Sequence, residues 1–290
     1  MFKFFANIFG YVLNFIYNFV NNYGVAIILF TILLRLILLP MNWKQQKTMK
    51  KSAKIQQKMK EIQNKYSNDI VRMNEEVRNL YATEKMSPFS GCLGSILQLV
   101  VVISMFILVS NPLTYMKQLP EEKIKNYQEQ LSEEGKSSNY IEIAIIKNLA
   151  DKEEETNINM NFLGLDLSDV PSGNLSNPKV YIIPILYVMT SFISMKLTTS
   201  MTSSKKKKEN INEKENEELK KQEKLVKVDD KNEEMDTMES MNKTMTYMMP
   251  IMTVSIAFIA PLGLALYWFI SNLLMILERI AVNKFVKEEE

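Results

Sequence analysis

The chain has 290 residues, and its 35 Lys+Arg nearly balance its 33 Asp+Glu, so net charge singles out no class of partner. It has no histidine and one cysteine, Cys92. That excludes Ser-His and Cys-His nucleophile pairs, HExxH zinc sites, histidine proton relays, CxxC sites and an intrachain disulfide. No GxxxxGK[ST] or GxGxxG run occurs either, so neither an enzyme nor direct nucleotide use is expected, and no cofactor or metal. The charges gather in blocks and leave long, almost uncharged gaps, the segregation of a polytopic membrane protein.

Residues 1–23 are apolar on most sides, with Asn7, Asn14, Asn18 and Asn21 marking one polar stripe at helical spacing. This reads as a helix lying in the membrane interface. A signal peptide is the competing reading, because Lys3 precedes the apolar stretch; no small-x-small cleavage site follows it.

Residues 24–41 are apolar except for Thr31 and Arg35, and Pro40 closes the run. They form the first predicted span, close to the ~18-residue lower limit. Residues 42–87 carry eleven Lys/Arg and five Asp/Glu. Within them Ile55, Met59, Ile62 and Tyr66, then Ile70, Met73, Val77 and Leu80, recur at 4-3 or 3-4 spacing on either side of Ser67-Asn68-Asp69. That predicts a helical hairpin with facing apolar seams and a lysine-studded outer surface.

Ser87-Pro88 opens the second span, 88–109, with proline at the first helical position and Gln98 near mid-span. Residues 110–178 hold twelve Asp/Glu against six Lys and read as a loop, helical at most around Tyr140–Leu149. The third span is 179–197, where Pro184 predicts a kink. A charged loop, 198–243, follows without a sustained apolar face. The fourth and fifth spans are 244–259 and 264–283, separated by Ala260-Pro261-Leu262-Gly263, with a tail at 284–290. The fourth has sixteen residues, about 24 Å of helix against a ~30 Å hydrocarbon core, so local thinning of the bilayer is expected. Met241, Met245, Met248 and Met252 share one of its faces. They form either a pliable apolar surface or ordinary packing.

The blocks at 42–87 and 198–243 have eleven Lys/Arg each, against six in the longer 110–178 segment. By the positive-inside rule the basic blocks stay in the cytoplasm, with the N-terminus outside and the C-terminus inside. The expectation is an all-α polytopic membrane protein: a five-transmembrane-helix bundle with a cytoplasmic helical hairpin and an N-terminal interfacial helix. Residues 110–178 are then extracytoplasmic.

Arg35 is the outstanding residue. It costs at least ~2.5–3.5 kcal/mol at a bilayer centre. Either it snorkels about 8 Å to the cytoplasmic headgroups or it sits in a polar cavity. Thr31 lies one turn away on its face, Gln98 is mid-span, and Tyr267, Trp268, Ser271 and Asn272 are polar or amphipathic positions of the fifth span. Trp268 can equally be an interfacial anchor. No acidic residue occurs in the first four spans, so Arg35 reads as unpaired and wet, suited to an anionic guest.

Several runs resemble the YidC/Oxa/Alb membrane protein insertases: FTILLRLILLP (30–40) before a lysine-rich hairpin, MSPFSGCLGSILQ (86–98), YIIPIL (181–186), and TYMMPIM with APLGLALYWFISNLL at 246–274. The resemblance covers all five spans in order. It implies five core helices around a groove open to cytoplasm and lipid but closed to the outside. An arginine in that groove attracts the polar, often acidic segment of a nascent membrane protein. Arg35 matches that arginine by motif position, and Thr31, Gln98, Tyr267 and Trp268 match other groove-facing positions.

Departures are visible. Gly91-Cys92-Leu93-Gly94 lacks the proline often found after the Gly-x-Cys motif, and Leu99-Val100 stand where another proline often follows the glutamine. The 198–243 loop is longer and more charged than usual. Neither a large extracytoplasmic domain before the first span nor a lipoprotein cysteine is expected.

The implied partners are nascent membrane proteins and the lipid bilayer of a bacterial plasma membrane, without ATP hydrolysis. The basic hairpin suits the anionic RNA of a ribosome, or is simply a solvated positive face. A Sec translocon is a further candidate partner, and a monomer the expected state. The rivals are a small transporter or channel, which the absence of an internal repeat disfavours, and a membrane anchor whose hairpin recruits a partner.

Overall fold

The computed structural model describes residues 1–67, 69–86, 93–136, 138–174, 176–202 and 255–288. Its first helix, α1 (Phe2–Val20), buries Ala6, Gly10, Leu13 and Tyr17, a 4-3-4 stripe that packs on the helices that follow. Asn7 and Asn18 of the asparagine stripe are exposed and Asn14 is half-buried. Phe4, Ile8, Tyr11, Phe15 and Phe19 form an exposed apolar ridge. A helix apolar on both sides of its buried seam suits a lipid setting. Asn21 ends α1 in the left-handed region (φ 48°), and the Asn22 side chain accepts the Val25 N–H at 3.1 Å to start the next helix. Asparagine tolerates the first geometry and caps the second.

Helix α2 (Tyr23–Lys65) contains Pro40 in its interior. The sequence has this proline close the first helix. Instead one continuous helix joins the first span to the basic segment. A mid-helix proline forfeits one backbone hydrogen bond. Here tertiary contacts along α2 hold both sides of it, against the last helix through Arg35 and Asn42. Helix α3 (Ile70–Thr83) folds back on the distal part of α2, with Ile55 and Met73 as the buried apolar contacts. The Asp69 carboxylate accepts the Arg72 N–H at 3.0 Å to cap α3, and the pair Lys58–Glu84 (2.6 Å) ties the arms.

Helix α4 (Leu93–Ser110) buries Val100, Val101, Ser104, Met105, Leu108 and Val109. The 110–178 segment, expected to be a loop, is a folded layer. It contains one turn of helix, α5 (Pro112–Tyr115), then α6 (Glu121–Glu133) and α7 (Ile141–Leu149). A two-residue antiparallel ribbon follows, β1 (Asn161–Phe162) against β2 (Leu165–Asp166). Ile124 and Leu131 of α6, Ile143, Ile146 and Leu149 of α7, and Ile158 and Leu167 bury into the same core as the long helices. The apolar positions that build the layer are interspersed with twelve Asp/Glu and with turn residues, so no long apolar run marks them.

Helix α8 (Ile182–Thr202) follows a 3-10 turn at Pro178–Tyr181. Pro184 lies in the first turn of α8, where its missing N–H leaves no intrahelical bond unmade, so the expected kink has no cause. Residues 255–259 are helical, and α9 (Leu262–Glu288) starts right after Pro261. The turn between them is therefore tighter than the four residues expected.

Among the described residues three stretches are long and apolar enough to cross a membrane: Tyr23–Thr48, Pro178–Leu197 and Leu262–Ala281. Ile96–Ser110 is a shorter apolar helix. The molecule is a mostly helical membrane protein. Most of the fourth expected span, the methionine face, the 203–243 part of the charged loop and the Ser87-Pro88 helix start lie outside the described residues.

Candidate functional site

Four side chains on two facing helices form the polar centre of the bundle. On α2, Arg35 and Asn42 are seven residues apart and therefore share a face. On α9, Ser271 and Glu278 repeat the same spacing. Arg35 Nη2 donates to the Ser271 carbonyl at 3.0 Å and to its Oγ at 2.6 Å. Arg35 Nη1 lies 3.5 Å from Glu278 Oε2, with the two side chains 11% and 10% exposed. Asn42 Nδ2 donates to both Glu278 oxygens, at 3.1 and 3.3 Å. The expectation of an unpaired arginine is thus corrected. Its counter-ion comes from the fifth predicted span, beyond the four in which no acid was found. Neither ion stands alone in low dielectric, where an isolated charge is most costly.

A second polar row on α9, one residue on, faces α8. Asn272 Nδ2 donates to Ser191 Oγ at 2.7 Å, and Arg279 Nη1 donates to the Ser194 carbonyl at 3.1 Å and to its Oγ at 3.2 Å. Helix α9 is therefore the shared wall, polar toward both neighbours. Counting Arg35, Glu278 and Arg279, the region keeps a formal excess of one positive charge.

The other residues expected at the site sit as follows. Thr31 is 1% exposed, and its hydroxyl donates to the Ile27 carbonyl of its own helix at 2.6 Å. Tyr267 is 1% exposed, one turn before Ser271. Trp268 is 8% exposed, its ring 5.8 Å from that of Tyr187 on α8, a packed position rather than an exposed anchor. Gln98 is half-buried on α4. The structure thus brings Arg35 to the Tyr267–Ser271 face of α9, while Trp268 turns toward α8. Asn42 and Glu278 were missed from the sequence; the matched seven-residue spacing on two separate helices is the signal that finds them.

The folded layer covers the end of the bundle opposite the lysine-rich arms. Tyr23 N–H donates to the Asn159 carbonyl at 3.0 Å and Asn22 Nδ2 to the Asn161 carbonyl at 2.7 Å, at the start of α2. Leu262 and Gly263 N–H donate to the Asp169 and Leu167 carbonyls at 2.9 and 3.0 Å, at the start of α9. These bonds satisfy donors that a helix start leaves open. Phe162 presses on α2 so closely that a Cβ at Gly24 would lie 2.5 Å from its ring. Asp169 is also held by an ion pair with Lys147. Arg35 lies twelve residues from Tyr23, about 18 Å below this cover at helical rise.

The family model described as "60Kd inner membrane protein" matches residues 15–289. The chain belongs to that family, the family of the YidC-type membrane protein insertases. The protein named "Membrane protein insertase YidC" in Fusobacterium nucleatum is 25% identical over 284 residues, which span 98% of this chain and 97% of that protein. Its namesake in Syntrophobacter fumaroxidans is 40% identical over 105 residues, 36% of this chain but only 19% of the relative. The one in Caldanaerobacter subterraneus is 39% identical over 101 residues, 35% of this chain and 49% of the relative. The Syntrophobacter fumaroxidans relative is far longer than this chain, which matches only about a fifth of its length.

Proposed function

We propose that the protein inserts nascent membrane proteins into the bilayer of a bacterial cell, without ATP hydrolysis. Arg35 receives the polar or acidic segment of the client. The observation that carries this reading is a guanidinium held between two apolar membrane-length helices by a serine and a carboxylate, both of which a client can replace. Thr31, Gln98, Tyr267 and Trp268 are proposed as the remaining groove positions, Thr31 and Tyr267 as parts of its wall.

Moving a short polar tail across lipid is costly because its groups lose water. A polar site part-way across shortens the dry path, and burial of the client's apolar segment in lipid drives the step. The folded layer over the starts of α2 and α9 supports a groove closed on that side. The positive-inside rule puts the layer, with the N-terminus, outside. The lysine-rich arms, proposed as a helical hairpin, and the C-terminus then face the cytoplasm, where the basic surface suits ribosomal RNA. A Sec translocon is a further proposed partner, and a monomer the proposed working unit.

The test is reconstitution in lipid vesicles with a single-span client carrying a short acidic tail. Wild type and Arg35→Lys insert it well above empty vesicles, and Arg35→Ala falls toward the empty-vesicle level. Equal insertion by all three removes Arg35 from the mechanism. Insertion by none of them above empty vesicles removes the insertase reading for this client class.

A further inference from the structure

The contacts around Arg35 are unequal. Its hydrogen bond to Ser271 Oγ is 2.6 Å, while its approach to the Glu278 carboxylate is 3.5 Å. Charge-assisted N–H···O bonds ordinarily close to about 2.7–2.9 Å. The surface pairs Lys58–Glu84 and Lys123–Glu155 close to 2.6 Å each. The guanidinium is anchored by serine and only neutralised by glutamate. Glu278, for its part, has a second holder in Asn42, which reaches both of its oxygens.

We propose that Glu278 is a built-in stand-in for the client's carboxylate. It neutralises Arg35 at rest, and an incoming acidic side chain must displace it. The proposal rests on the reading that Arg35 receives client acids.

The physical case is one of exchange. A buried guanidinium without a counter-ion would draw in water and any available anion. With Glu278 in place the resting site stays closed. Replacing one carboxylate by another at the same nitrogen changes the electrostatic energy little, so the step needs no external energy. Asn42 keeps donors on Glu278 while the exchange proceeds, so the displaced acid is not left bare. Glu278 then sets a threshold that falls on acidic tails: a carboxylate must displace it to reach Arg35, whereas a tail with only amides, which binds Arg35 poorly, gains little when Glu278 is removed. This makes Glu278 a specificity-determining residue.

The test compares two single-span clients that differ only in Asp/Glu against Asn/Gln in the tail, using reconstituted full-length protein. Glu278→Gln keeps the size of the side chain and an acceptor for Asn42. It raises the ratio of acidic-tail to amide-tail insertion rates by about five-fold or more, the low end of ordinary coupling between sites. Glu278→Asp, which keeps the charge on a shorter stem, gives a smaller rise. The rise disappears in Arg35→Gln/Glu278→Gln. If Glu278→Gln melts early in detergent, Glu278→Asp alone decides. An unchanged or lowered ratio in both variants overturns the proposal, as does a rise that survives loss of Arg35. Arg35→Gln by itself separates the two levels. If it leaves acidic-tail insertion intact, the reading of Arg35 fails. If it lowers insertion while the Glu278 variants raise nothing, only the role of Glu278 fails.

Discussion

The carboxylate of Glu142, on α7, holds the start of α5: it accepts the Leu113 and Thr114 N–H groups at 2.7 and 3.0 Å and the Thr114 hydroxyl at 2.5 Å. Burial pushes its carboxyl above the ordinary value, while these hydrogen bonds pull the other way and only partly offset it. A raised native value means that the folded layer binds the proton more tightly than the unfolded chain. The group's contribution to stability is therefore full in acid and is lost as pH rises through the native value. Hydrogen exchange of α5–α7 should show protection falling between mildly acidic and neutral pH in the wild type, relative to Glu142→Gln, which lacks the titration. A pH profile of equal slope in both proteins would show that other groups govern it. Arg35 was legible in the sequence because a charge in an apolar run declares itself. Glu278 was not, because it sits where α9 turns polar, beside Arg279 and shortly before Lys284, and reads as the start of a cytoplasmic end. Only the facing of α2 and α9 turns it into a counter-ion.

Apolar runs and 3-4 spacing located most of the helices; their ends and interruptions depended on packing. Of the seam positions expected at 55–66 and 70–80, Ile55 and Met73 are buried and Ile70 is half exposed. Pro40 and Pro184 misled in opposite ways. One lies inside a helix that tertiary contacts carry across it, the other in a first turn where it costs nothing. Gly10 shows what spacing alone does not reveal. A Cβ there would lie 1.9 Å from the Tyr115 carbonyl oxygen, so α1 can seat on α5 only with glycine at the crossing. Gly10→Ala forces the two elements apart and costs about 1–3 kcal/mol, the range for overpacked contacts. The melting temperature in detergent should fall, and protease should reach α1 more readily. A melt like the wild type's would mean that α1 is not fixed at this crossing.

At the scale of the molecule, the bundle and the folded layer share one apolar core, and hydrogen bonds from the layer seal the starts of α2 and α9. The Asn159 N–H donates to the Tyr17 hydroxyl at 2.8 Å, and Asn159 Nδ2 to the Asn21 carbonyl at 2.9 Å, so α1 is stitched to the same layer. Tyr17→Phe removes one of these bonds and leaves a part-buried N–H without its partner, at about 1–3 kcal/mol. Exchange at Asn159 and its neighbours should quicken while the α2–α9 contact stays protected. Uniform loosening would instead mean that layer and bundle open together. Apart from the stretch around Tyr140–Leu149, where α7 lies, little in the sequence announces this layer, because its apolar residues are broken up by acids and turn residues that suggest a solvated loop.

Arg35 and Ser271 are separated by 236 residues along the chain. At about 5–20 residues per second, a ribosome takes roughly 12–50 s to make the stretch between them. For that interval α2 exists without α9, and its guanidinium has neither the serine nor the glutamate. The carbonyls of Leu167 and Asp169 likewise wait for Leu262 and Gly263. The newborn protein thus passes through a stage with an open seam and a bare intramembrane cation. Its last helix closes both, and biogenesis must shelter the chain until that helix arrives.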